Sequence, residues 1–171
     1  MRARLLLPLV ALLASVSSHA LYDPAPDASL AAVEGEWSGT LTYRDYSPPH
    51  GLVTLPTRLF VALRSDDELV LHYVYDDGPA KTVHSYEALR FEWAARQVTS
   101  SSGRGGDASV GRIVQDVREP GGRRIVVETT DAEGRQRHTF EFAQGRLVMA
   151  KDEIDAQGVA TRRNAYEFRR P

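Results

Sequence analysis

The sequence has 171 residues, of which 42% are hydrophobic and 26% are charged, and its formal net charge is −2 at pH 7. These values fit one soluble globular domain, and they exclude a disordered chain, a collagen-like repeat and a polytopic membrane protein. The sequence contains no cysteine, which excludes a disulfide framework, a thiol nucleophile, a thiolate metal cluster and a lipidated cysteine.

The first twenty residues (1–20) have the pattern of a signal peptide. Arg2 and Arg4 flank the start of the apolar run 5–16, and the small residues Ser18 and Ala20 precede the predicted cleavage site. The run has about twelve residues, too few to cross a bilayer core of roughly 30 Å as a helix. We therefore predict cleavage near Ala20, a periplasmic or secreted location in a bacterium, and no stable membrane anchor.

The charge pattern of the remaining chain bears on its partners. Removal of Arg2 and Arg4 leaves 19 basic residues against 23 acidic ones, a net charge near −4. Most of the basic residues are arginines, and they are scattered among acidic residues. This pattern offers no uncompensated basic face that would displace the counterions of a nucleic-acid duplex. No nucleic-acid partner is expected.

The rest of the chain divides into a leader, 21–34, and one β-rich domain, 35–171. The leader ends in a short helical turn from Asp27 to Val33, with Asp27 as its cap. After Gly35 the hydrophobic pattern has a period of two, and turn signals such as Pro120-Gly121-Gly122 interrupt it. About ten strands are predicted: 37–44, 55–63, 69–75, 81–86, 89–98, 110–118, 123–130, 136–142, 146–154 and 161–169.

Sequential hairpins of this kind predict an all-β fold, an antiparallel up-and-down β-barrel of about eight to ten strands. Closure into a barrel removes the exposed edges of such a meander, and a β-sandwich is the main alternative. The low-complexity stretch 100–107 is interpreted as a mobile loop. Neither a helix nor a lysine follows it directly, as a phosphate-binding loop would require.

The triplet Gly35-Glu36-Trp37 follows the predicted helical turn and opens the first strand. It resembles the G-x-W start of the calycin superfamily, which includes the lipocalins and the fatty-acid-binding proteins. The resemblance implies a lipocalin-like barrel in which Trp37, next to Gly35, closes one end and packs against an arginine of the last strand. Arg162 and Arg163 lie in the matching region, and Arg163 is assigned to barrel closure.

The alternation also predicts which residues line the barrel. If Trp37 points inward, the alternation places Leu41 and Tyr43 on the same inward face of the first strand. In every other strand, the more apolar face is assigned to the inside of the barrel. A barrel of this size either holds one small apolar ligand or fills itself with side chains. The ligand-binding residues predicted on this basis carry hydroxyls, aromatic rings or a guanidinium that would orient a ligand: Tyr43, Tyr73, Trp93, Phe140, Arg162 and Tyr166.

His72 and His84 lie symmetrically about Gly78 in a predicted hairpin, where they would face each other. Such a pair is close enough for a shared metal or a proton switch, whereas a shorter turn or a bulge would separate two ordinary strand histidines. The sequence fixes no third ligand, so no metal site and no cofactor are predicted. It also lacks the G-x-S-x-G, H-E-x-x-H and aspartate-dyad motifs. Catalysis is therefore left open, with no catalytic residue assigned.

Three functional hypotheses follow from this pattern. The first is a lipocalin-like protein that binds a small hydrophobic or amphipathic ligand inside the barrel. The second is a non-enzymatic envelope accessory or inhibitor protein whose barrel is filled and whose outer surface binds a protein partner. The third is an enzyme, which requires a titratable group of shifted pKa inside a cavity.

Overall fold

The computed structural model describes residues 30–103, 108–119, 121–132 and 134–171. In these ranges a short 3₁₀ helix, Leu30–Val33, precedes ten strands. The strands are β1 (Gly35–Asp45), β2 (Gly51–Ser65), β3 (Glu68–Asp76), β4 (Thr82–Glu92), β5 (Gln97–Ser102), β6 (Ser109–Glu119), β7 (Gly122–Asp131), β8 (Gly134–Ala143), β9 (Arg146–Ile154) and β10 (Ala160–Arg169).

Each strand pairs antiparallel with the next along the chain, and β1 pairs with β10, which closes the barrel. The all-β, antiparallel up-and-down barrel expected from the sequence is thus confirmed. The predicted signal peptide, 1–20, and the first part of the predicted leader lie outside the described residues. In the part of the chain that the structure describes, no helix is long and apolar enough to cross a membrane.

One end of the barrel is filled by the hydrophobic core. Alternate residues of a strand point to opposite faces of the sheet, so the apolar phase of every strand meets inside the closed barrel. This filled end is the one at which β1 begins. The largest fully buried side chains are Trp37, Phe91, Phe168, Leu59, Leu71 and Ile125.

The boundary between β4 and β5 differs from the prediction. The sequence-based strands 81–86 and 89–98 placed a break after Tyr86, and the stretch 100–107 was interpreted as a loop. Instead β4 is continuous from Thr82 to Glu92, and β5 extends to Ser102. The turn lies at 93–96, where the Arg96 amide donates a hydrogen bond to the Trp93 carbonyl at 3.2 Å and Arg96 has a φ of 52°. This turn contains no glycine or proline, the residues by which a turn is usually recognised in a sequence.

Trp37 closes the filled end of the barrel. It is 1% exposed, and its indole nitrogen donates a hydrogen bond of 2.8 Å to the Val33 carbonyl of the 3₁₀ helix. The guanidinium of Arg170 covers the ring, with its central carbon 4.0 Å from the ring centre, and donates to the Ala32 carbonyl at 2.9 Å. The 3₁₀ helix and the C-terminal arginine therefore seal the same end.

The assignment of the closing arginine to Arg162 or Arg163 was wrong. β1 and β10 are antiparallel, so the start of β1 lies beside the end of β10, where Ser38 pairs with Arg169. Arg163 lies at the opposite end of the barrel. There its guanidinium pairs with Glu153 at 2.6 Å and lies 5.7 Å from the ring centre of Tyr46.

Two glycines permit close packing at the seam between β1 and β10. A Cβ atom on Gly39 would lie 1.9 Å from the Glu167 carbonyl oxygen, a distance that the backbone could not accommodate without moving. Gly35 has a φ of +116°, and a Cβ there would lie 2.5 Å from the Arg170 guanidinium. Glycine is the residue that tolerates both conditions.

Candidate functional site

Two neighbouring cavities occupy the end of the barrel opposite Trp37. The first, which we call the apolar cavity, has a volume of about 470 Å³. Its wall is formed by residues of β1, β2, β3, β4 and β10, and charged side chains stand at its rim. Its principal lining residues are Leu41, Tyr43, Leu55, Tyr75, Val83 and Asn164.

The second cavity, which we call the polar cavity, has a volume of about 320 Å³. It contains hydrogen-bonding and titratable side chains from every strand from β3 to β10, together with the ring of Phe140 and the thioether of Met149. The residues with polar groups that matter most below are Tyr73, Glu87, Thr129, His138, Lys151 and Tyr166.

The two cavities meet at a pair of tyrosines. Tyr75 lines the apolar cavity, Tyr166 lines the polar cavity, and their hydroxyl groups form a hydrogen bond of 2.9 Å. Asn164 lines both cavities. Burial raises the pKa of both tyrosines, so their hydroxyls stay neutral at physiological pH and can donate or accept hydrogen bonds.

Glu87 is the buried acidic group of the polar cavity. The Ser100 hydroxyl donates a hydrogen bond of 2.7 Å to one carboxyl oxygen, and the Tyr73 hydroxyl donates a longer one of 3.4 Å to the other. Burial raises the pKa of Glu87, while these hydrogen bonds and the positive charge of Lys151 act in the opposite direction. The carboxyl group is therefore held in place, with acceptor capacity left for a ligand.

Lys151 and His138 form the basic side of the same cavity. They are paired across β9 and β8. Burial, with a further contribution from Lys151, lowers the pKa of His138 to about 4, so its imidazole is neutral at pH 7. The cavity thus offers one ammonium group and one neutral imidazole on this wall.

Four of the six predicted ligand-binding residues lie at the cavities. Tyr43 lines the apolar cavity. Tyr73, Phe140 and Tyr166 line the polar cavity, and the Tyr73 and Tyr166 rings are in contact, with centroids 5.1 Å apart. The period-two alternation was sufficient to find them.

Trp93 and Arg162 do not join this group. Trp93 points inward but lies towards the filled end, where the Arg123 guanidinium covers its ring at 4.1 Å and pairs with Asp116 at 2.7 Å. Arg162 lies on the outer surface with its side chain 55% exposed, in an ion pair with Asp152. A bulge between Arg162 and Asn164 changes the phase of β10, so counting back from Tyr166 gives the wrong face for Arg162.

The sequence analysis missed Glu87, His138 and Lys151. A signal for each was present. In the continuous strand β4, Glu87 lies on the same inward face as Leu89 and Phe91. His138 is likewise in phase with the inward residues of β8, and Lys151 with those of β9. A charged residue in the inward phase of a strand is the pattern that identifies a polar lumen.

His72 and His84 lie outside the barrel. Their ring nitrogens form a hydrogen bond of 2.9 Å, but the register pairs His72 with Tyr86, so the histidines meet diagonally rather than face to face. The loop between β3 and β4 is centred on Pro79 instead of Gly78, which shifts the register. His72 also stacks on Tyr86 and Phe60, with centroids 4.3 Å and 5.6 Å apart. Among the described residues, no group of three or more potential ligands is placed to hold a metal ion.

Comparisons with known proteins bear on the fold. No family model matches the sequence, and no curated protein sequence is significantly similar to it. The crystal structure of Rv2717c from M. tuberculosis is similar, with a TM-score of 0.57, 12% identity, and coverage of 81% of this chain and 92% of that chain. The likeness concerns the fold of the described residues, a closed antiparallel β-barrel.

A second similar structure is lobster apocrustacyanin A1, with a TM-score of 0.41 and 10% identity. The match covers 81% of this chain and 60% of that chain. At these identities the likenesses concern the fold alone. The barrel fold that the resemblance of Gly35-Glu36-Trp37 implied is confirmed by the closed antiparallel sheet.

Proposed function

We propose that this protein is a periplasmic or secreted lipocalin-like binding protein that holds a small amphipathic ligand inside its barrel. The observation that carries the proposal is the contact between an apolar and a polar cavity at Tyr75 and Tyr166. A calycin-like barrel is well suited to enclose such a ligand. The signal-peptide pattern of residues 1–20 supports the location.

The mechanism is an exchange of solvent for protein contacts at both ends of the ligand. The apolar part leaves water for the side chains of Leu41, Leu55 and Val83, with a gain of roughly 25 cal/mol per Å² of apolar surface buried. The polar end enters the second cavity, where hydroxyl, carboxyl and ammonium groups replace its hydration shell. Binding requires no covalent step.

The experiment that tests the proposal is native mass spectrometry of residues 21–171 purified from periplasm without denaturation. The expected result is a reproducible excess mass that disappears on delipidation, together with uptake of a fluorescent fatty acid by the delipidated protein. A bare mass with no uptake of the probe would contradict the proposal.

A second candidate function is binding of a protein partner through the outer face of β2, β3 and β4. The observation that favours it is the stacked group of Phe60, His72 and Tyr86, of which Tyr86 is 49% exposed. Aromatic side chains of this kind are enriched at protein interfaces. A photo-crosslinking amino acid at position 86 should then capture a discrete partner in the periplasm. The same group at the exposed position 135 of β8, on the far side of the barrel, should not.

A further inference from the structure

The acidic and basic groups of the polar cavity lie on opposite walls of the barrel. Glu87 is on β4 and Lys151 is on β9. In a ring of ten strands these two are five steps apart in either direction, so they lie diametrically opposed. Both side chains line the same cavity and influence each other electrostatically, because the positive charge of Lys151 stabilises the Glu87 carboxylate.

Lys151 is available to a ligand. In the part of the chain that the structure describes, its ammonium group makes no hydrogen bond or ion pair, whereas Lys81, the other lysine, pairs with Asp77. An ammonium group that lines a cavity without a protein acceptor leaves its donors for a ligand, and an anionic group placed beside it forms a charge-assisted hydrogen bond.

A second polar atom in the same cavity is also unsatisfied. The Thr129 hydroxyl oxygen is buried and has no hydrogen-bond partner among the described residues. Buried hydroxyl groups are normally paired, so this atom marks a position where a ligand atom would complete the hydrogen bonding. The other titratable groups of the cavity are Asp131, His138 and the tyrosines Tyr73 and Tyr166. Asp131 is exposed at the rim, and His138 and both tyrosines are neutral at pH 7.

We propose that the polar cavity selects a dipolar head group, whose anionic part binds Lys151 and whose hydrogen-bond-donating or cationic part binds Glu87. This inference rests on the proposed function and specifies its ligand class: a zwitterion such as an amino acid with an apolar tail. The tail lies in the apolar cavity, against Leu41 and Leu55. A simple fatty acid would bind only Lys151, and a simple amine would bind only Glu87.

The test is calorimetric titration of the delipidated protein with four probes of equal chain length: 2-aminooctanoate, octanoate, octylamine and octan-1-ol. The wild type should bind 2-aminooctanoate about tenfold or more tightly than each of the others, the usual size of a charge-assisted contact. Lys151→Met should abolish the advantage over octylamine, and Glu87→Gln the advantage over octanoate. Arg64→Met, the control, removes a positive charge that is 70% exposed on β2 and lines neither cavity, so both advantages should remain intact.

Octan-1-ol reports on the intact barrel, because its binding depends on the apolar cavity in every variant. If Lys151→Met loses octan-1-ol binding, Lys151→Gln replaces it as the test variant. If the wild type bound octan-1-ol or octanoate as tightly as 2-aminooctanoate, the head-group proposal would be overturned, while ligand binding in the barrel would stand. If none of the four probes binds, the head-group proposal is overturned as well. If, in addition, the protein shows no excess mass in native mass spectrometry, the proposed function is also overturned.

Discussion

The hydroxyl groups of Tyr75 and Tyr166 are 2.9 Å apart, and each tyrosine lines a different cavity. This hydrogen bond joins strands β3 and β10 across the lumen. It places two adaptable polar groups at the point where an apolar chain would change to a polar head. The contact between the cavities therefore depends on side chains that can exchange one partner for another.

Tyr166→Phe should weaken binding of an amphipathic ligand more than binding of a hydrocarbon. The variant removes one buried hydrogen bond, and the unfolding free energy should fall by about 1 kcal/mol. Fluorescence titrations with a fatty-acid probe and with a hydrocarbon probe would measure the difference, and urea unfolding would measure stability. Tyr86→Phe, on the outer surface, is the control. Equal losses for both probes would count against this ligand pose.

Gly39→Ala should open the seam between β1 and β10. The added Cβ would meet the Glu167 carbonyl oxygen at 1.9 Å, so the strands must separate, at a cost of roughly 3 kcal/mol or more. Gly51→Ala is the matched control, because no atom lies within 4 Å of its Cβ position. Thermal unfolding followed by circular dichroism would compare them. Equal melting temperatures would show that the seam is not closely packed.

Arg170→Ala should expose Trp37 and destabilise the filled end of the barrel. Loss of the stacked guanidinium and of its hydrogen bond to Ala32 should reduce the unfolding free energy by about 1–2 kcal/mol. Acrylamide quenching of tryptophan fluorescence should increase at the same time. Arg169→Ala removes the neighbouring exposed arginine and should change neither quantity. A larger effect of Arg169→Ala would reject the assignment.

His138 should make the fold less stable as the pH falls from about 6.5 towards 4. The pKa of His138 is about 4 in the folded protein and 6.5 for an unperturbed histidine in the unfolded chain. As the pH falls from 6.5 towards 4, the unfolded chain therefore takes up a proton that the folded protein does not. The stabilisation is complete above pH 6.5, and the loss on acidification should reach roughly 2–3 kcal/mol. Glu87, whose pKa is raised in the fold, acts with the opposite sign.

His138→Gln isolates this effect from that of Glu87. Urea unfolding between pH 4 and pH 7 should show a flatter profile for His138→Gln than for the wild type. His50→Gln, in the exposed loop between β1 and β2, should retain the wild-type profile. Parallel profiles for the wild type and His138→Gln would exclude a buried neutral imidazole.

The barrel could be predicted because strand alternation is a local property. The inward phase of Trp37, Tyr73 and Tyr166 follows from a period of two, and ten such segments joined by hairpins leave few other topologies. The Gly35-Glu36-Trp37 triplet fixed which end closes. All four tyrosine and phenylalanine positions predicted at the cavities needed nothing beyond this phase and the turn signals.

The remaining features depend on information that a linear pattern does not contain. Arg170 covers Trp37 because β10 runs antiparallel to β1, a pairing that only the closed barrel creates. Arg162 faces outward because of a bulge, and Glu87 was obscured by a turn at 93–96 without glycine or proline. The opposition of Glu87 and Lys151 depends on the number of strands in the ring.

The most direct test of the account is native mass spectrometry of a variant that fills the apolar cavity. Leu55→Trp adds a large ring to the wall of that cavity, whereas Leu52→Trp adds the same ring at a position that is 71% exposed. We predict that the wild type and Leu52→Trp, purified from periplasm, carry the same excess mass. Folded Leu55→Trp should show the mass of the protein alone. An identical mass excess in all three proteins, or none in any of them, would contradict ligand binding in the barrel.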